Sequence, residues 1–66
     1  MTFVHSSNLA AVGYAAGILK VAFRSGSVYV YFGVPWHVYA GLMSAASHGS
    51  YFHRHIRMSY PYQRIV

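Results

Sequence analysis

The 66 residues contain no cysteine and no aspartate or glutamate. Without cysteine there can be no disulfide staple, no thiolate zinc ligand and no cysteine nucleophile, so stability rests on packing, alone or with self-association. Without carboxylate side chains there is no carboxylate general base, no carboxylate metal ligand and no Ser-His-Asp triad, which removes most hydrolase chemistry. Long apolar runs are also missing: none approaches the roughly 18 to 20 residues of a membrane span. The start, Met1 to Val4, has no basic segment leading into an apolar stretch of about 7 to 15 residues, as a secretory signal would. These absences describe a soluble, cytoplasmic protein with no membrane partner.

What remains is apolar and basic. Hydrophobic residues make up 56% of the chain and charged residues 8%, far from the composition of a disordered segment. A 7.4 kDa chain holds a single domain over residues 1–66 and buries only roughly 60% of its unfolded surface. The net charge of +5 comes from Lys20, Arg24, Arg54, Arg57 and Arg64, with no acid to offset them, and points to an anionic partner. The five histidines add charge below roughly pH 6.5. A mean hydropathy of +0.34 is more than so small a monomer comfortably buries, which points separately to a protein partner or to homo-oligomerisation.

Side-chain alternation locates the strands. Leu19, Val21 and Phe23 alternate with Lys20, Ala22 and Arg24; after Ser25-Gly26-Ser27, Val28, Val30 and Phe32 alternate with Tyr29, Tyr31 and Gly33. A tight turn centred on Ser25 and Gly26 predicts Val21 opposite Val30 and Phe23 opposite Val28. The other face then carries Lys20 opposite Tyr31 and Ala22 opposite Tyr29. Ala10 to Ala15 predicts a preceding strand, joined through a short Ala15-Ala16-Gly17 connection. Pro35 opens a helix running to about Ser47, with Val38, Leu42 and Ala45 facing the sheet and Gly49 as its left-handed cap. Ser50 then caps a second short helix, in which Phe52 and Ile56 share a face, and Pro61 ends it. The aromatic tail, Tyr60 to Val66, folds back on the body. The expected fold is α+β: a three-stranded antiparallel β-meander followed by two short helices.

The stretches SSNLAAVGY, LKVAF, SGSVYVYFGVP and SHGSYFHRHIRMSYPYQRI, taken in order, resemble the KTSC domain, a module of about this length. That family is named for its place at the C-terminus of some lysyl-tRNA synthetases and also occurs as stand-alone bacterial and phage proteins. Its tyrosine-any-tyrosine hallmark is Tyr29-Val30-Tyr31 here. The resemblance implies a small domain for which RNA binding has been suggested from the synthetase context. Two positions depart from the family's usual pattern: Ala15 stands where an acidic residue is common, and His53 where an asparagine is.

Three clusters compete as sites. Tyr29 and Tyr31 beside Lys20 and Arg24 would stack bases and track phosphates on a sheet face, or would pack beneath another segment, since strands favour tyrosine in either role. His53, Arg54 and Arg57, at helical spacings of three and four, would form a phosphate site aided by the helix start at Ser50, or a solvated basic face. Trp36, with Tyr39 one turn on, reads first as a core anchor, and Met43 as a gap filler. His53 and His55 diverge on a helix, so neither a metal nor a cofactor is expected. A ribonuclease using histidine and arginine needs no carboxylate, yet nothing pairs those roles. The chain therefore reads as a non-enzymatic binding module for RNA or single-stranded nucleic acid, through Lys20, Arg24, Tyr29, Tyr31, His53, Arg54 and Arg57. The alternative is a protein-interaction or homo-oligomerisation module with no nucleic-acid role.

Overall fold

In the computed structural model, which describes all 66 residues, the order is β1 (Thr2–Phe3), β2 (Leu9–Ala15), β3 (Ile18–Phe23), β4 (Val28–Tyr31), α1 (Trp36–Ser44), α2 (His48–His55) and β5 (Tyr62–Arg64). The strands form one antiparallel sheet in the order β1-β2-β3-β4-β5. The α+β class holds, and the expected meander is the middle of a five-stranded sheet. The two additional strands have two and three residues, too few to display an alternation. Both helices lie between β4 and β5, so the tail returns to the body as an edge strand on β4. No helix is long and apolar enough to cross a membrane.

The β3–β4 register differs by one residue from the expected one. Val21 lies opposite Tyr29 and Lys20 opposite Val30, not Val21 opposite Val30. The turn explains the slip. Phe23 N–H donates to Ser27 O at 2.8 Å and Gly26 N–H to Phe23 O at 3.0 Å, so three residues, Arg24 to Gly26, close the loop rather than two. Such loops place a residue at positive φ after the turn, and Gly26 has φ +99°. One extra loop residue inverts the parity of β4: Tyr29 and Tyr31 join Leu19 and Val21 on the helix side, and Val28 and Val30 join Lys20 on the other.

The preceding hairpin closes through Ala16 and Gly17, at φ +50° and +78°, the two-residue turn whose twist matches that of strands. Here alanine occupies a left-handed position that asparagine or glycine fills with less strain.

Both helices cover one face of the sheet, as expected, but their boundary lies elsewhere. α1 ends at Ser44, whose Oγ donates back to Ala40 O at 2.9 Å, and Ala45 is extended at φ −67°, ψ 144°. Ser47 rather than Ser50 caps α2: its Oγ accepts from Ser50 N–H at 3.2 Å. Gly49 accordingly sits in the first turn of α2 and has no left-handed conformation. A serine oxygen that satisfies a free first-turn amide outweighs a glycine cap one turn later. His48 ties the two helices together, its Nδ1–H donating to Leu42 O at 2.8 Å.

The core comprises Leu9, Val12, Leu19, Val21 and Tyr31 from the sheet with Val34, Val38, Leu42, Phe52 and Ile56. Trp36, expected within it, is 63% exposed. As the first residue of α1 it packs against the rings of Tyr14 and Tyr39, at 5.8 and 5.3 Å between centroids.

Two measurements check this fold. Cross-strand nuclear Overhauser contacts will pair Val21 with Tyr29, and direct Val21–Val30 pairing would contradict the register. Ala16→Asn will raise stability by about 0.5 to 1 kcal/mol in a denaturant titration, because it relieves the left-handed alanine.

Candidate anion-binding cleft

On the helix side of the sheet, the chain around Asn8, the β3–β4 loop, β4, α2 and β5 enclose a cleft of about 570 Å³. That volume lies within the range of roughly 300 to 1,000 Å³ typical of small-ligand sites. Register and helical spacing decide what lines it. β4 contributes Tyr29 and Tyr31, with Tyr62 of β5 directly opposite Tyr31. α2 and the turn after it contribute Phe52, His53 and Arg57, of which His53 and Arg57, four residues apart, lie side by side. The β3–β4 loop brings Arg24 to the rim.

Aromatic rings make the floor. Tyr31 and Phe52 meet edge to face at 5.4 Å, Phe23 meets Tyr29 at 5.6 Å, and Tyr62 lies 5.8 Å from Tyr29 and 5.7 Å from Tyr31. Tyr31 is 3% exposed, so its ring is structural. Tyr62, 59% exposed, and the half-buried Tyr29 are the rings a ligand can reach. The hydroxyls of Tyr29, Tyr31 and Tyr62 make no hydrogen bond within the chain, and none of them is sealed from solvent.

The cations at the rim lack carboxylate partners, since no side chain supplies one. Arg24 Nε donates to Ser6 O, which holds the guanidinium stem against the loop before β2. An Arg57 terminal N–H donates to His53 Nδ1 at 3.2 Å, fixing both side chains on one edge of the cleft. A guanidinium restrained by neutral acceptors keeps its full charge and its remaining donors for an incoming anion. Burial is the main reason the Tyr31 hydroxyl is pushed up from the ordinary 10 to about 12; the neighbouring Tyr29 and Tyr62 act in the same direction, and Arg57 opposes them.

Of the seven residues proposed from sequence, the cleft unites Arg24, Tyr29, Tyr31, His53 and Arg57. Lys20 lies outside it, because the register turns Tyr29 and Tyr31 to the helix side and leaves Lys20 on the opposite face of the sheet. Arg54 is exposed outside the cleft, one position round α2 from His53. The cations also stand at the C-terminal end of α2, where the dipole favours positive side chains, rather than at a helix start beneath Ser50. Sequence reasoning missed Tyr62 and Asn8. The signal for Tyr62 was the aromatic tail, but its pairing with Tyr31 requires the chain reversal made by both helices.

An antiparallel sheet backed by two helices, with a carboxylate-free cleft of arginine and tyrosine on the covered side, defines a small α+β domain. The chain belongs to the KTSC domain family, whose model matches residues 5–60. It is 45% identical over 47 residues to a lysine–tRNA ligase of Trichormus variabilis, a stretch that is 71% of this chain and 8% of the ligase. The crystal structure of a KTSC domain protein from Yersinia pestis superposes with a TM-score of 0.92 at 32% identity, covering 98% of this chain and 94% of that one.

The Tyr31 hydroxyl gives a pH prediction. Its folded value of about 12 exceeds the unfolded value near 10, so the folded state holds the proton longer. That stabilisation is complete below about pH 10 and is lost as pH rises towards 12. Tyr31→Phe will flatten the alkaline fall in stability, measured by denaturant midpoint against pH.

Proposed function

We propose that the chain is a non-catalytic module that binds single-stranded nucleic acid, RNA foremost, in the cleft between β4, α2 and β5. The observation that carries this reading is the convergence of Arg24 and Arg57, neither neutralised by a carboxylate, with the accessible rings of Tyr29 and Tyr62 on one cavity. Guanidinium groups hold phosphates and tyrosine faces stack bases; stacking tolerates any sequence, since every base has a π face. His53 supplies a further polar contact beside Arg57. The lysine–tRNA ligase that shares this module has tRNA in its name, which supports RNA as the polymer.

The test is fluorescence anisotropy with a single-stranded ten-nucleotide RNA over a range of salt concentrations. Arg24→Ala and Arg57→Ala will each lower the slope of log affinity against log salt by about 0.7, one phosphate contact on a single strand. Tyr62→Ala will weaken binding by about 1 to 3 kcal/mol with an unchanged slope. Lys20→Ala, on the far face, will leave affinity nearly unchanged. If Lys20→Ala weakens binding as much as Arg57→Ala does, the attraction is generic to a chain of charge +5 and the cleft is not the site.

A further inference from the structure

The cleft and both helices occupy one face of the sheet, and no helix covers the other, where only the Met1 side chain lies against Gly13. Strand register places Phe3, Ile18, Val28 and Val30 on that bare face. Phe3 is 85% exposed and Ile18 42%. β2 presents Gly13 opposite Lys20 and Ala15 opposite Ile18, and these small residues leave a depression of about 290 Å³ bordered by Ile18, Lys20 and Val30. Lys20 is the one charged residue that the strands place on this face. It lies mid-way along β3, the central strand of five, between Gly13 and Val30, neither of which offers its ammonium an acceptor side chain.

We propose that the bare face is a docking surface for another protein, and that the occupant is an amphipathic helix carrying one carboxylate among aliphatic side chains, the carboxylate meeting Lys20. Charge complementarity selects this occupant. A second copy of the chain has no aspartate or glutamate to offer. A two-fold axis through the middle of the face would also bring Lys20 onto Lys20, and like charges held together at an interface are strongly unfavourable. An anionic membrane is drawn to clustered cations around an apolar face, whereas here Arg24 and Arg57 line the cleft on the other side of the sheet.

Size agrees with one helix. Strands of two, seven, six, four and three residues, at about 3.4 Å per residue and about 4.8 Å between strands, give a face of roughly 360 Å². This is less than the roughly 800 Å² per partner of a standard stable interface, and ample for a helix about 10 Å across. The inference is independent of the nucleic-acid reading, because it uses the opposite face.

The experiment is an amide-resolved NMR titration of the full chain with a synthetic 18-residue amphipathic helix that has leucine and alanine on one face and a single glutamate at its centre. A second peptide carries lysine in place of the glutamate. The glutamate peptide will shift the amides of Ile18, Lys20 and Val30 and bind at least about tenfold more tightly than the lysine peptide, the ratio expected from one favourable against one repulsive charge contact. Lys20→Glu will reverse the preference, and Ile18→Ser will weaken both peptides without altering it. Retained amide dispersion in each variant confirms the fold before affinities are compared. An unchanged preference in Lys20→Glu, shifts confined to Tyr29 and Arg57, or no binding of either peptide at millimolar concentration would each overturn the proposal. So would sedimentation above 7.4 kDa that Ile18→Ser abolishes, which makes a second copy the occupant, or equal shifts of the same amides by phosphatidylserine vesicles, which makes it a lipid surface.

Discussion

The three-residue loop between Phe23 and Ser27 determines which way every side chain of β4 points, and most of this structure depends on that direction. With two loop residues, Tyr29 and Tyr31 would lie beside Lys20 on the uncovered face, and Val28 and Val30 would meet the helices. With three, Tyr31 closes on Phe52 and Tyr62, Tyr29 closes on Phe23, and the cleft acquires an aromatic floor. Gly26 makes the longer loop accessible because it takes φ +99° without a Cβ penalty. The same step parts the tyrosines from Lys20, which stays on the uncovered face while Arg24 and Arg57 line the cleft.

The absence of acidic side chains gives those surfaces their character. In most domains an arginine near a cleft is neutralised by a neighbouring carboxylate. Here Arg24 rests on a main-chain carbonyl and Arg57 on an imidazole. Neutral acceptors orient a guanidinium without cancelling its field, so the rim of the cleft stays positive and able to receive an anion. Main-chain carbonyls and ring contacts also carry the tertiary contacts that ion pairs carry elsewhere, as in the Tyr14 hydroxyl on Val34 O at 2.6 Å and its ring stacked on Tyr39 at 4.8 Å.

The two faces of the sheet thus have separate chemistry within one KTSC domain. One is covered by helices and holds a polar, cationic cavity; the other is open, apolar and carries a single ammonium.

The sequence by itself determined the elements whose signal is local. Alternation over Leu19–Phe23 and Val28–Tyr31 marked the central strands, Pro35 the start of the first helix, and the spacing of Val38 and Leu42 its buried face. The ordered KTSC-like stretches identified the family, and five of the seven candidate residues meet in the cleft. What the tertiary structure decided was face and neighbour. Valine and tyrosine at alternate positions of β4 are both apolar enough to bury, so hydrophobic pattern could not choose between two registers and the backbone of one loop did. Trp36 looked like core because indoles usually bury, but at the first position of α1 it stays largely exposed. Tyr62 and Asn8 joined the site through β5 pairing and the loop before β2, contacts between residues distant in the chain that no local period encodes. Local periodicity records which residues tend to be buried; which of two equally apolar faces is covered depends on loop length and on where the helices settle, and both are properties of the folded chain.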